Sequence, residues 1–182
     1  MTKMQLGLLC SAEQEQGLST RGHAFRGALI DNCAAIETWL TTILTEAAAR
    51  ERPGKAHYLG QKLEAARELA QADQALPGNQ RLLKRPNRVI ELLDQIGPYA
   101  DLRSSLAHAV QSIALSRDGE PVFLFAPVEK QDKGMQIALT LAAQSFILAN
   151  VRRLVKELAE QQLRPANPSV PPRPSPASAA GP

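Results

Sequence analysis

The sequence predicts a mainly α-helical protein, an up-and-down helical bundle with a small β-hairpin inserted before the last helix. Hydrophobic residues make up 44% of the 182 residues but aromatic residues only 4%, so small and aliphatic side chains must fill the core. Long stretches repeat their apolar residues every three or four positions, which is the period of an α-helix. The stretch from residue 111 to 125 departs from that period and carries a hairpin signal.

Composition divides the chain into three parts. We expect residues 1–17 to form an N-terminal arm or short helix, and residues 18–163 to form one helical domain of ordinary size. Residues 164–182 are rich in proline, alanine and serine and lack an apolar period, which predicts a disordered tail. No run approaches the ~18 apolar residues of a membrane helix, and the two cysteines have no metal-ligand spacing. We therefore expect a cytoplasmic protein that does not associate with membranes.

The apolar repeats predict the first helices in chain order. The first runs from about residue 19 to 50, with His23 and Arg26 interpreted as surface residues, and the second from about 58 to 74. A third helix is predicted from about 87 to 96, where Gly97 supplies a C-terminal stop. Pro98 then opens a separate helix, because proline fits a first turn whose N–H groups lack helical partners.

The segment after residue 110 predicts strands. Residues 111–116 and 121–125 are β-rich, and Arg117-Asp-Gly-Glu120 between them predicts a two-residue hairpin turn. Residues 135–139 could add a third short strand. A last helix is predicted from about 141 to 162. Five of its side chains are predicted to face the core: Phe146, Ile147, Val151, Leu154 and Leu158.

The helix that opens at Pro98 carries the candidate catalytic residues. Its apolar residues form one stripe, and Asp101, Ser104 and His108 fall on the other side. Ser104 lies four residues before His108, within reach of its side chain. Arg103 lies five residues before His108, about 140° around an ideal helix, so only its long side chain lets it share a surface with His108. The helix is expected to bring a guanidinium and an imidazole into one polar patch.

In this context the chain resembles the HEPN family, small helical domains with an Arg-x4-6-His motif. The segment from Leu102 to His108 is similar to the R-N-x-x-A-H form of that motif. The order of the helices over about residues 18–162 also resembles that of the family. One residue departs from the pattern, because Ser104 stands where active members usually carry Asn, Asp or His.

The resemblance implies metal-independent RNA cleavage without a cofactor. His108 would act as general base or acid, because an imidazole titrates near neutral pH. Arg103 would bind the scissile phosphate, and Ser104 would orient one of these groups. Such sites usually form across a homodimer, for which the first and last helices are the expected surfaces. The resemblance also implies a toxin or defence protein, with an antitoxin or another protein as a possible partner.

A basic cluster precedes the motif and is a candidate RNA-binding surface. Its residues are Arg81, Lys84, Arg85 and Arg88. Positive charge supplies most sequence-independent affinity for nucleic acid, so the cluster could contact the phosphate backbone. The alternative is a solvated loop and helix start, since charge clusters are common on surfaces. The net charge of +3 permits a phosphate-rich partner without requiring one.

Two other interpretations stay open. A cationic imidazole near a helix C-terminus is favourable by itself, so the motif could belong to a non-catalytic dimerisation or binding module. A helical regulator that binds DNA would need a short recognition helix in a groove, and the sequence has no evident helix-turn-helix.

Overall fold

The computed structural model describes residues 12–49, 56–127, 136–161 and 163. These residues form four α-helices and a three-stranded antiparallel sheet, which confirms the predicted mainly α-helical fold class. The helices are α1 (Ala12–Ala48), α2 (Leu59–Ala75), α3 (Pro86–Ala107) and α4 (Leu141–Ala159), with a 3-10 turn at Gly78–Gln80. The strands are β1 (Ala109–Leu115), β2 (Pro121–Pro127) and β3 (Ile137–Thr140), in the order β1-β2-β3.

Helix α1 is the central element of the core. The other three helices and β1 all pack against it. Its buried side chains recur every three or four residues, as predicted: Phe25, Leu29, Cys33, Ile36, Leu40, Ile43, Leu44 and Ala47. This continuous stripe holds the helices and the sheet in one core.

Helix α1 begins earlier than the sequence indicates. Residues 12–17 belong to it, whereas the sequence assigned them to an N-terminal arm or a separate short helix. Residues 13–17 are all exposed, so no apolar period marks this part of the helix. Glu13 and Glu15 in the first turn are favourable beside the positive end of the helix dipole. Residues 1–11 and the predicted tail at 164–182 lie outside the described residues.

Helix α3 passes through Pro98 without interruption, so the predicted stop at Gly97 and the separate helix at Pro98 are wrong. Proline offers no N–H to the carbonyl of Asp94, which costs roughly 3 kcal/mol in a helix interior. Core burial on both sides of the proline outweighs this penalty, and Pro98 itself faces solvent. The buried residues of α3 continue across it: Val89, Leu92, Leu93, Ile96, Ala100 and Leu106.

Helix α3 ends one residue before His108. His108 is the C-cap, with φ −111° and ψ 7°, and β1 begins at Ala109. Ala109 therefore lies in the sheet and not on the predicted helical stripe. The imidazole that the sequence placed on a helix face sits instead at the junction between α3 and β1.

Strands β1 and β2 are joined by a three-residue loop instead of the predicted two-residue turn. Gly119 N–H donates to the carbonyl of Ser116 at 3.0 Å, and Ser116 N–H donates to the carbonyl of Glu120 at 2.8 Å. Gly119 has φ +79°, a left-handed conformation that glycine adopts without a Cβ penalty. A turn followed by a glycine of this kind is the common three-residue hairpin.

Helix α4 closes the domain after β3. The hydroxyl of Thr140 caps its N-terminus by accepting from the N–H of Ala143 at 3.1 Å. Val151, Leu154 and Leu158 are buried as predicted. Phe146 is 68% exposed, so its predicted core position is wrong. It lies between the buried Gln144 and the half-buried Ile147, outside the stripe that faces α1.

Candidate functional site

Arg103 lies on the side of α3 that faces α1. It comes seven residues after the buried Ile96, which places it on the same helical stripe, and it is half-buried. Burial raises the pKa of the Cys33 thiol on α1 to about 11, and the positive charge of Arg103 opposes that rise. The guanidinium thus lies near α1. It has no hydrogen bond or ion pair with a described residue, and none of its nitrogens is buried.

His108 is exposed at the C-terminal end of α3. Its imidazole has no hydrogen-bond partner among the described residues. Ser104 and Ser105 are exposed on the preceding turn, and the Ser105 hydroxyl donates to the carbonyl of Asp101 at 3.0 Å.

Arg103 and His108 leave α3 in different directions. The first turns towards α1 at the edge of the core, whereas the second stands in solvent where β1 begins. No described contact joins the two side chains.

Arg26 of α1 reaches the backbone next to His108. Its Nη2 donates to the carbonyl of Ala109 at 3.1 Å, and its guanidinium carbon lies 5.5 Å from the centre of the Phe125 ring. The side chain is half-buried, and its Nε is buried without a partner in the described part of the chain. The sequence interpreted Arg26 as a surface residue. The sequence did contain a signal that Arg26 is partly buried, because it follows Gly22 by four residues and so lies at the edge of the apolar stripe.

Arg81 and Arg88 of the predicted RNA-binding cluster make intramolecular hydrogen bonds. Arg81 donates from Nε to the carbonyl of Leu76 at 2.7 Å and from Nη2 to that of Gln74 at 3.2 Å, which fastens the turn after α2. Arg88 forms ion pairs with Glu91 and with Glu157 of α4. These hydrogen bonds raise the pKa of Arg88.

The other two residues of the basic cluster, Lys84 and Arg85, are exposed on the segment that leads into α3. Because Arg81 and Arg88 are bound within the protein, the four residues of the cluster do not form one surface of equivalent cations.

A groove of about 570 Å³ runs along the C-terminal half of α1 and is separate from the motif. Threonines 38, 41, 42 and 45 line it, beside an ion pair of 2.8 Å between Lys62 and Glu37. The hydroxyls of Thr38, Thr41 and Thr42 donate to carbonyls one turn back along α1. Neither Arg103 nor His108 lines this groove.

Two further types of site were considered. Among the residues whose structure is described, no three His, Cys, Asp or Glu side chains come together as metal ligands would. Within the same segments, no helix combines the length and the apolar character needed to cross a membrane.

Comparison with known proteins gives no relative for this chain. No protein-family model, curated protein or solved structure matches it. The functional interpretation therefore depends on the residues around the end of α3 and on their geometry.

Proposed function

We propose that this protein is a HEPN-like, metal-independent endoribonuclease of the toxin or defence type, acting in the cytoplasm. The observation that carries the proposal is the state of His108 and Arg103. Both belong to the end of α3, and neither has an ion pair or hydrogen bond with a described residue. Arg103 has an accessible guanidinium without a carboxylate partner among the described residues, so it is well suited to receive a phosphate.

The proposed reaction needs only side chains of the protein. His108 takes the proton of a ribose 2′-OH, whose oxygen attacks the neighbouring phosphorus. The bond from phosphorus to the 5′-oxygen breaks, and a protonated imidazole returns a proton to that oxygen. The products are a 2′,3′-cyclic phosphate and a free 5′-hydroxyl. Arg103 donates to the non-bridging oxygens and offsets the charge that develops on them.

We propose a homodimer because one chain turns Arg103 and His108 in different directions. In a two-fold dimer, the His108 of one copy and the Arg103 of the other can face the same cleft. Lys84 and Arg85 would contact the RNA backbone beyond the cleft.

The first experiment compares RNA cleavage by the wild type, Arg103→Met and His108→Gln in the presence of EDTA. His57→Gln is the matched control, because His57 is an exposed histidine on the segment before α2. The wild type and the control are expected to degrade RNA, and the two motif variants to lose activity by about 10²-fold or more. Equal RNA integrity with all four proteins would reject the enzyme.

The second experiment tests the dimer. Arg103→Met and His108→Gln are mixed in equal amounts after separate purification. If the two residues act across the interface, the mixture is expected to recover about one quarter of the wild-type rate, since half of the dimers are mixed and each holds one complete site. If the mixture of the two well-folded variants recovers no RNA cleavage, the Arg103 and His108 of one site belong to the same chain.

A second candidate is a non-catalytic HEPN-like dimerisation or binding module. It is favoured by Ser104 at the position of the usual polar residue, and by Arg81 and Arg88, whose charges are already used inside the protein. Such a module would bind a protein such as an antitoxin. Intact RNA together with a stable dimer in light scattering would support this candidate over the enzyme.

A further inference from the structure

We infer that Arg26 binds an anionic phosphate group at the junction between α3 and β1. The inference begins with how the guanidinium is held. The carbonyl of Ala109 fixes Nη2 at 3.1 Å, and the Phe125 ring lies against the guanidinium at 5.5 Å. The remaining amine, Nη1, has no hydrogen-bond partner in the described part of the chain, and it is not buried. The side chain therefore presents one free donor in a fixed orientation.

The charge of Arg26 has no compensating opposite charge among the described residues. No described carboxylate forms an ion pair with it, and its Nε is buried without an acceptor. Removing a cation partly from water without an opposite charge is unfavourable, and a bound anion would restore the balance. By contrast, Arg67, Arg88 and Arg153 each have a carboxylate partner.

The position of Arg26 determines where a bound anion would lie. Ala109 directly follows His108, so Arg26 is bound to the backbone where α3 passes into β1. A phosphate on Nη1 would therefore lie at this junction. That the phosphate belongs to RNA rests on the proposed function, whereas anion binding by Arg26 does not.

The same contacts would also serve a purely structural residue that ties α1 to β1 and β2. The experiment must therefore measure an effect that such a tie does not produce. Inorganic phosphate is the probe, and the Nε–H signals of arginine in the ¹H–¹⁵N NMR spectrum of the full chain are the readout. Comparison with the Arg26→Lys spectrum assigns the Arg26 signal without removing the positive charge.

We expect phosphate to shift the Arg26 signal in a saturable way and to raise the Tm of the wild type. Arg21→Met is the matched control, because Arg21 is an exposed arginine on the same helix, and it should respond like the wild type. Arg26→Met should lose the phosphate-dependent rise in Tm, and Arg26→Lys should keep part of it. An unmoved Arg26 signal in the wild type, or an equal response of folded Arg26→Met, would overturn the inference.

RNA cleavage separates this inference from the proposed function. For Arg26→Met we expect KM to rise roughly tenfold to a hundredfold, as for the loss of one hydrogen bond to a charged group, with a smaller change in kcat. If His108→Gln abolishes cleavage but Arg26→Met leaves KM unchanged, the inference fails and the nuclease stands. If phosphate shifts Arg26 but no variant affects RNA, the nuclease fails and the anion site stands.

Discussion

The buried carboxylate of Asp73 accepts a hydrogen bond from the backbone N–H of Leu83, with 2.6 Å between Oδ2 and the amide nitrogen. Asp73 lies in α2, and Leu83 in the segment that leads into α3. Both residues are fully enclosed by the core. This bond therefore fixes the point from which α3 departs, and with it the helix that carries Arg103 and His108.

Asp73→Asn should destabilise the protein by about 1.5–3 kcal/mol, the range for hydrogen bonds that involve a charged group. Urea unfolding of the two proteins measures the difference. The matched control is Asp94→Asn, because Asp94 pairs with Arg67 at the surface, where such a pair contributes roughly 0–1 kcal/mol. If Asp73→Asn and Asp94→Asn lower the free energy of unfolding by the same small amount, the hydrogen bond between Leu83 and Asp73 does not fix the start of α3.

Gly22 and Gly27 on α1 should respond differently to alanine. A Cβ at Gly27 meets nothing within 4 Å, so Gly27→Ala should stabilise the helix by about 0.5–1 kcal/mol. A Cβ at Gly22 would come within 2.4 Å of the Gln111 amide, which would have to leave the carbonyl of Ser19. In urea unfolding, Gly22→Ala should therefore stabilise the protein less than Gly27→Ala does, or destabilise it. Equal increases in the free energy of unfolding for the two variants would show that α1 and β1 are not in close contact at Gly22.

Pro98→Ala should stabilise α3, because the new N–H can donate to the carbonyl of Asp94. The expected gain is about 1–3 kcal/mol in the free energy of unfolding. Gly97→Ala is the neighbouring control, since its Cβ meets nothing within 4 Å and its gain should not exceed about 1 kcal/mol. A loss of stability in Pro98→Ala would mean that core packing requires the proline geometry.

The ionisation of Cys33 should occur in strongly alkaline solution, because burial raises the pKa of its thiol to about 11. In a Cys10→Ser background, absorbance of the thiolate at 240 nm should appear near that pH. The neutral thiol is the form that the fold accommodates. Its contribution to stability is thus full below the ordinary value of 9.0 and is lost as the pH rises through about 11.

Arg103 provides the control for this measurement, since its charge opposes the rise in the pKa of Cys33. Arg103→Met should move thiolate formation to still higher pH. Thiolate formation near pH 9 in the native protein, or an unchanged titration in the variant, would contradict the placement of the thiol in the core and of Arg103 beside it.

Much of this fold could be predicted from the sequence, because apolar periodicity directly reflects which side of a helix is buried. The errors occur where local signals compete with packing. Pro98 is a strong local signal for a helix start, but burial of Ile96 and Ala100 on either side of it prevails. Residues 13–17 of α1 are polar or glycine, so periodicity could not reveal this part of the helix.

The site was less predictable than the fold. Spacing along the chain identified Arg103 and His108, but it could not show that α3 ends between them and that the two groups diverge. Arg26 depends on a contact between residues 83 positions apart, because its hydrogen bond joins α1 to β1. No local pattern records that β1 passes α1 at Gly22, which is why only the structure showed that Arg26 contacts the backbone of Ala109.

The most direct test is the rate at which purified protein cleaves an RNA oligonucleotide in EDTA, measured for the wild type and for His108→Gln. A 2′-O-methylated copy of the same oligonucleotide is the control substrate, because it has no 2′-OH to attack the phosphorus. The account predicts that the wild type cleaves only the unmodified RNA, leaving a 2′,3′-cyclic phosphate, and that His108→Gln is slower by about 10²–10⁴-fold. Equal rates for the two proteins, or cleavage of the methylated substrate, would contradict it.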